Sequence, residues 1–180
     1  MIENYQEKNA KLLNFGRQFY LQQINCDCKI INVSDLNIKY GISLTNNNRN
    51  VGDIPLLASN GISDYVDVSN AENAIVFGCR GTLGNVFYQK GKCFILNTAF
   101  YINNVKNYGN LYFTLDYEKG LAVYQSGAAQ PQITIDAIKG AKLKVPNNNY
   151  LNRILDSYAN NQVIINKLKS IKGKLLIKYF

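Results

Sequence analysis

The most glycine-rich stretch of the chain is Val76-Phe77-Gly78-Cys79-Arg80-Gly81-Thr82-Leu83-Gly84. Apolar residues predict one strand over 74–77, and the apolar run after the stretch predicts another over 86–89. The glycines follow the pattern G-x-x-G-x-x-G, which differs from the G-x-G-x-x-G of dinucleotide-binding loops, and no Gly-Lys-Ser/Thr follows. We therefore interpret the stretch as a glycine-rich turn between strands. Such a turn can present Arg80 to a phosphate or a guanine.

The chain around this turn, from residue 26 to 146, alternates short apolar runs with turn signals, which indicates a mixed α/β fold with a strand-rich core. A hairpin turn is predicted at Gly91, and Thr134 is predicted to cap a short helix over 135–139. A longer helix is predicted from Leu111 to a point before Ser126. Further strands are predicted over 29–33, 94–96, 99–102 and 142–145.

Both ends of the chain have helical periodicity. Near the N-terminus, Tyr5, Leu12, Phe15 and Phe19 lie close to one face. The C-terminal pattern persists over 30 residues, and Asn161 occupies a seam position, where a lone polar residue can fix register and partner number. This favours a coiled-coil arm; the alternative is a helix packed on its own domain. The two ends could pair antiparallel. The apolar positions proposed for a dimer or partner contact are Leu151, Ile154, Tyr158, Ile165, Leu168 and Leu175.

The charge of the 180-residue chain is unevenly distributed. The formal net charge is +8, from 20 Lys and Arg against 12 Asp and Glu; residues 151–180 carry +5 of it and residues 26–150 only +2. A basic chain favours a nucleic-acid or acidic partner, although the charge could serve solubility alone. The lysines of the C-terminal helix are interpreted mainly as its solvent-facing side, with DNA contact as the alternative.

Several kinds of chemistry are excluded or disfavoured. The chain has no His, which excludes Ser-His-Asp and Cys-His catalysis and His-ligated zinc. Cys26 and Cys28 form a lone C-x-C, so we expect reduced structural cysteines, no metal and no cofactor on this chain. A cysteine enzyme built on Cys79 is a minor alternative that needs Lys or Arg activation. Without a membrane-length apolar run or a signal-peptide core, we expect a cytoplasmic chain that contacts no membrane.

Several segments, taken in order, resemble the target recognition domain of the specificity (S) subunit of type I restriction–modification enzymes. The Leu/Ile-rich helix that follows them resembles the helical region that follows such a domain. The matching segments are GDIPLL at 52–57, NGI at 60–62, VFGCRGTLG at 76–84, NTAF at 97–100, SGAAQPQIT at 126–134 and LKVP at 143–146.

This resemblance implies a function without catalysis. S subunits recognise double-stranded DNA and direct methyltransferase (M) and restriction (R) subunits to it, and the S-adenosylmethionine chemistry belongs to the M subunit. The implied division is an N-terminal helix over 1–25, a target recognition domain over 26–148 and a dimerisation or methyltransferase-binding helix over 149–180. We expect a strand-rich α/β (mixed) domain bracketed by helices, with a long C-terminal coiled-coil helix.

The chain departs from the family pattern in having one recognition domain, whereas a typical S subunit has two in a chain of roughly twice this length. A homodimer of half subunits is therefore expected, with a palindromic, bipartite target. The alternatives are a fragment that recombines with another S gene, a recognition domain that serves a fused type II enzyme, and a coiled-coil scaffold or regulatory protein whose α/β domain binds protein.

The candidate DNA contacts follow from side-chain chemistry and loop placement. Arginine can bind guanine and glutamine can bind adenine through two hydrogen bonds, and lysines near Gly91 suit phosphates. The loop around Pro131 could equally be a plain loop. The predicted DNA-binding residues are Ser59, Asn60, Arg80, Thr82, Lys90, Lys92, Gln130 and Gln132. No catalytic or metal-binding residue is predicted.

Overall fold

The computed structural model describes residues 1–45, 49–127 and 129–179, with the side chains of the last helix described as far as Lys172. Four helices are α1 (Ile2–Cys26), α2 (Tyr108–Tyr117), α3 (Ile135–Ile138) and α4 (Tyr150–Tyr179). The strands are β1 (Cys28–Asn32), β2 (Lys39–Tyr40), β3 (Val51–Ala58), β4 (Gly61–Val66), β5 (Ala71–Gly78), β6 (Val86–Ile95), β7 (Ala99–Asn103) and β8 (Lys142–Pro146). The mixed α/β class is confirmed.

The strands form two sheets. The larger has the order β2-β7-β5-β6-β3-β4, with antiparallel pairs except for β3 and β6, which run parallel. The strand β5 lies inside this sheet because residues 74–78 form an apolar run that is buried along its whole length. The smaller sheet pairs β1 with β8 antiparallel. It therefore joins the end of α1 to the start of α4.

The glycine-rich turn lies between β5 and β6, as the sequence predicts, but the hairpin predicted at Gly91 is wrong. The strand β6 continues through Gly91, which has φ of +79°. The pairing changes from Glu72 with Lys92 to Ala74 with Gln89, which leaves an extra residue on β6. Gly91 donates its N–H to Asn73 Oδ1 at 2.8 Å. A β-bulge of this kind needs a glycine with positive φ, as a tight turn does. The glycine in the sequence therefore does not distinguish a bulge from a hairpin turn.

The predicted helices are present with changed boundaries: α2 already begins at Tyr108 and α3 ends at Ile138. Thr134 caps α3, because its side-chain oxygen accepts a hydrogen bond from the Ala137 N–H at 3.2 Å. The helix predicted from Leu111 ends at Tyr117 and continues as a 3₁₀ segment over Lys119–Tyr124. Gly120 and Leu121 have positive φ there, which breaks the helix.

The terminal helices pair antiparallel, as predicted. Asn161 Nδ2 donates to Asn9 Oδ1 at 2.8 Å, and further along the pair the rings of Phe19 and Tyr150 lie 6.1 Å apart. Asn9 is buried and also donates to the Tyr158 carbonyl at 3.3 Å. The polar seam residue Asn161 thus fixes the register of α4 against α1 of the same chain. None of the helices in the described part of the chain has the length and apolar content of a membrane span.

The main core lies between the larger sheet and the helices. Phe77 and Phe100 of the sheet pack against each other, and Phe113 of α2 and Leu155 of α4 belong to the same buried cluster. The first half of α4 is therefore packed on its own domain, which was the alternative to a free arm. At about 1.5 Å per residue, α4 is about 45 Å long. Residues between 163 and 171 of this helix line a groove opposite β3, β4 and β6.

Candidate nucleic-acid interface

Two of the predicted contact loops meet at one end of the larger sheet. Arg80 pairs with Gln132 in an isolated antiparallel bridge, and the Ile133 N–H donates to the Cys79 carbonyl at 2.8 Å. The second loop is closed on itself, because the backbones of Ser126 and Gln132 exchange hydrogen bonds of 2.8 and 2.9 Å. The structure therefore brings Arg80 and Gln132 together, although 51 positions separate them in the chain.

The turn between β3 and β4 joins these loops. The Ser59 N–H donates to Thr98 Oγ1 at 3.3 Å, while the Thr98 carbonyl accepts from the N–H groups of Cys79 at 2.9 Å and Arg80 at 3.1 Å. We call residues 59–60, 79–85 and 125–132 the loop surface. Ala128 lies outside the described residues.

The exposure of the loop residues shows which side chains can contact a ligand and which only support the loops. Asn60, Arg80, Thr82 and the glutamines Gln130 and Gln132 are exposed. These five side chains can reach a ligand.

Ser59 requires a correction, because only 8% of it is exposed. It supports the loops through its backbone bond to Thr98 rather than reaching a base. Gly78 explains why the turn closes so tightly: a Cβ there would overlap the Thr82 carbonyl oxygen. The loop backbone therefore folds directly over the end of β5.

Lys90 and Lys92 lie apart from the turn in which they were predicted, on the bulged part of β6 opposite α4. Lys90 Nζ donates to Asn160 Oδ1 at 3.1 Å and lies 3.7 Å from Asp156 Oδ1. The ion pair is half-exposed, so its contribution to stability is small. Both lysines line a groove of about 900 Å³ between α4 and the strands β3, β4 and β6.

A tyrosine–aspartate cluster that the sequence did not reveal holds α4 beside this groove. Tyr108 Oη donates to Asp156 Oδ2 at 2.6 Å, and the Tyr88 ring stacks on the Tyr108 ring at 5.2 Å between centroids. Burial raises the pKa of Tyr88 to about 12, and burial together with the Asp156 hydrogen bond raises that of Tyr108 well above its ordinary value. Both hydroxyls therefore stay protonated at neutral pH. No periodicity links positions 88, 108 and 156.

Four of the six helix positions predicted to contact a second subunit instead face this chain. Leu151 and Ile165 are buried, while Ile154 and Tyr158 pack against the main core. Leu168 is half-buried. The side chain of Leu175 lies outside the described residues. Periodicity identified the apolar face of α4 but could not show that α1 and α2 cover it.

The exposed apolar surface of the helix pair lies elsewhere. Phe15, predicted to lie with the other apolar side chains of α1, is 60% exposed. Together with Leu12 and Asn161 it lines a cavity of about 410 Å³, bordered by Lys8 and Lys11. This patch, defined by Leu12, Phe15 and Asn161, is called the helix-pair patch below.

Two of the four cysteines, Cys79 and Cys93, are buried. Cys79 is fully buried, and burial raises the pKa of its thiol to about 11; burial likewise raises that of Cys93 to about 12. Their thiols contact the carbonyls of Asn97 and Ala71, each at 3.6 Å. Across the described ranges, no three His, Cys, Asp or Glu side chains are grouped so that they could hold a metal ion.

We expect thiol alkylation to separate these cysteines. Because the thiolate is the reactive form and the pKa of Cys79 is raised, iodoacetamide at pH 7.5 should label exposed Cys26 and leave Cys79 and Cys93 unmodified in the folded chain. Mass spectrometry of tryptic peptides measures the difference, and labelling in urea provides the control. Faster modification of Cys79 than of Cys26 would support the cysteine-enzyme alternative instead.

Comparisons with known proteins agree on one family. Residues 27–175 match the family model described as the type I restriction modification DNA specificity domain. The crystal structure of the type I restriction-modification system S subunit from M. genitalium has a TM-score of 0.67 and 18% identity, with 99% of this chain and 57% of that chain covered.

Two further structures share the fold. The HsdS subunit from Thermoanaerobacter tengcongensis has a TM-score of 0.53 and 13% identity, covering 94% of this chain and 48% of that one. A structure described as explaining complex assembly and conformational transition of the type I R-M system has a TM-score of 0.53 and 12% identity, with 98% of this chain and 52% of that chain covered. The chain thus spans about half the length of these proteins. No curated protein sequence matches it.

Proposed function

The chain belongs to the family of type I restriction modification DNA specificity domains, and from that membership we propose that it recognises a specific double-stranded DNA sequence. It has the fold of a specificity subunit and carries one recognition domain. In this proposal residues 26–148 read the DNA, and residues 1–25 and 149–180 form the helical part that binds partner subunits. The chain performs no catalysis; methyltransferase subunits supply the S-adenosylmethionine chemistry, and a restriction subunit joins the complex.

The observation that carries the proposal is the convergence of three loops on one exposed surface. Arg80 and Gln132 lie side by side through their backbone bridge, and Asn60 and Thr82 are exposed on the same set of loops. An arginine beside a glutamine can read a guanine and an adenine in the major groove through paired hydrogen bonds. Loops held by buried strands vary in sequence without loss of the fold, which suits a protein whose target differs between relatives.

Selection from a pool of random duplexes tests this proposal. The purified chain with its methyltransferase subunit is expected to enrich one bipartite motif, because each well-placed base contact discriminates by about 1–3 kcal/mol. An unchanged pool after several rounds, despite a folded complex, would favour the protein-binding scaffold alternative.

We further propose that two copies of the chain pair to form the equivalent of a full S subunit. The chain covers 57% of the M. genitalium S subunit and has one recognition domain. The helix-pair patch supports this, because an exposed Phe15 on a packed helix pair can meet the same patch of a second copy across a two-fold axis. Two recognition domains related in this way read the two halves of a palindromic site.

The substitution Phe15→Lys tests the pairing. It places a charge in the centre of the patch, so we expect the dimer to dissociate at micromolar concentration while the fold remains intact. Sedimentation velocity measures the species. The control is Val123→Lys, because Val123 is 80% exposed and lies on the 3₁₀ segment outside the helix pair. A wild-type chain that stays monomeric with and without the methyltransferase subunit contradicts the homodimer.

A further inference from the structure

We propose that the groove between α4 and the strands β3, β4 and β6 binds the phosphate backbone of the DNA, with Lys167 and Lys169 of the long helix as phosphate contacts. This inference rests on the proposed function, because it assumes that the loop surface reads a duplex. It assigns a second, sequence-independent contact area to the same DNA. It also changes the interpretation of the helix lysines as a merely solvent-facing set.

Residues of α4 line the groove in a regular pattern. Val163, Asn166, Lys167 and Ser170 recur at spacings of three and four, which puts them along one side of α4, and all four line the groove. Lys169 reaches the groove from the adjacent row. The opposite wall is formed by residues 52–55 of β3, by β4 and by the bulged part of β6.

The lining of the groove is positively charged. The groove of about 900 Å³ is lined by four lysines, Lys90, Lys92, Lys167 and Lys169, against one carboxylate, Asp53. Lys90 is held by α4 through Asn160 and Asp156. Within the described residues, the other three lysines form no ion pair with a carboxylate. Their charge is therefore available to a polyanion.

The groove is connected to the loop surface through a neighbouring cavity. Asn60 of the β3–β4 turn lines a neighbouring cavity of about 500 Å³, and Lys90, Asn166 and Lys169 line the same cavity. The two cavities share six lining residues, which are Tyr65, Gln89, Lys90, Val163, Asn166 and Lys169. A duplex whose bases meet the loop surface can thus continue its backbone into the groove. Amide side chains such as Gln89 and Asn166 add phosphate donors to the lysines.

Two hydrogen bonds hold α4 in place beside the sheet. The Tyr108–Asp156 hydrogen bond of 2.6 Å and the Lys90–Asn160 bond of 3.1 Å join α4 to the domain at the near end of the groove. Lysines on a helix that is held in place lose less conformational freedom on binding a regularly spaced backbone than lysines on a free arm do. A rigid groove therefore favours a duplex over a flexible ligand.

The test is the salt dependence of DNA binding by the full chain. Fluorescence anisotropy with a random duplex of about 30 base pairs, between 50 and 200 mM salt, compares wild type with the double substitution Lys167→Gln, Lys169→Gln. Loss of two phosphate contacts should make the negative slope of log K against log salt shallower by about 1.8. The wild type should therefore lose about 12-fold more affinity across this range than the variant does. Glutamine has a helix propensity close to that of lysine, so α4 is retained.

The matched control is Lys172→Gln. Lys172 is exposed on the same helix, one turn beyond Lys169, but does not line the groove, so its slope should equal that of wild type. A steep wild-type slope that the double substitution leaves unchanged overturns the groove assignment while DNA binding stands. If the double variant keeps the slope but no longer retains the methyltransferase subunit, the groove binds protein and the inference is wrong. A wild-type chain whose duplex binding is absent or independent of salt overturns the proposed function itself.

Discussion

Replacing Gly109 by alanine is expected to lower the free energy of unfolding by about 3 kcal/mol, at the upper end of the usual cost of overpacking a buried site. Gly109 lies at the start of α2, where the backbone of α4 passes directly over it. An added Cβ would overlap the Asn152 nitrogen and the Leu151 carbonyl group, which are main-chain atoms and cannot rotate away. The substitution would also disturb the Gly109 N–H bond to Asn152 Oδ1, which is 2.7 Å long.

Urea unfolding followed by circular dichroism measures this effect. The control is Gly140→Ala, since a Cβ at Gly140 meets no atom within 4 Å and its backbone is not in the positive-φ region. That control should leave stability unchanged or raise it by up to about 1 kcal/mol. Equal stabilities of the two variants contradict the close packing of α2 against α4 on which the position of the groove depends.

The substitution Arg80→Ala is expected to weaken binding of the selected duplex by about 1–3 kcal/mol, or about 5- to 150-fold, and to relax the preference at one base pair. Arg80 is exposed at the end of β5, and its backbone is fixed by the bridge to Gln132 and the bond to the Thr98 carbonyl. Removing its side chain therefore leaves the loop in place. In a homodimer, the lost preference should appear in both half-sites.

Competition between duplexes that differ at single base pairs measures this change. The control Lys142→Ala removes an exposed cation on the two-stranded sheet and should leave the base preference unaltered. The effect of Arg80→Ala differs from that of the groove lysines, which should alter the salt slope for every sequence equally. An Arg80→Ala variant with the full wild-type base preference shows that Arg80 does not read a base.

The parts of the fold that were predictable from sequence are those with strong local signals. The glycines of 78–84 mark the turn between β5 and β6, and Thr134 caps α3 because a threonine oxygen can accept an N–H group at a helix start. The apolar periodicity of α1 and α4 predicted both helices. The seam position of Asn161 alone indicates a residue that fixes register.

The parts that were not predictable depend on contacts distant in sequence. Gly91 has the positive φ of a turn, but it forms a bulge because β5 continues to pair with β6 beyond it. The parallel pairing of Leu56 with Phe94 places β3 beside β6, and the two strands together line the groove that faces α4. No local pattern encodes this pairing. The burial of Ser59 and the exposure of Phe15 likewise follow from which surfaces meet, which periodicity does not specify.

Mapping methylated bases across the genome of cells that express this chain with its methyltransferase subunit tests whether the chain selects the DNA sequence at which its partner acts. We predict that the wild-type chain directs methylation to one bipartite, palindromic motif, and that Arg80→Ala relaxes the motif symmetrically at one position in each half. Methylation that is absent in the presence of both subunits, or a motif that is the same when the chain is omitted, would show that this chain does not select the methylated sequence.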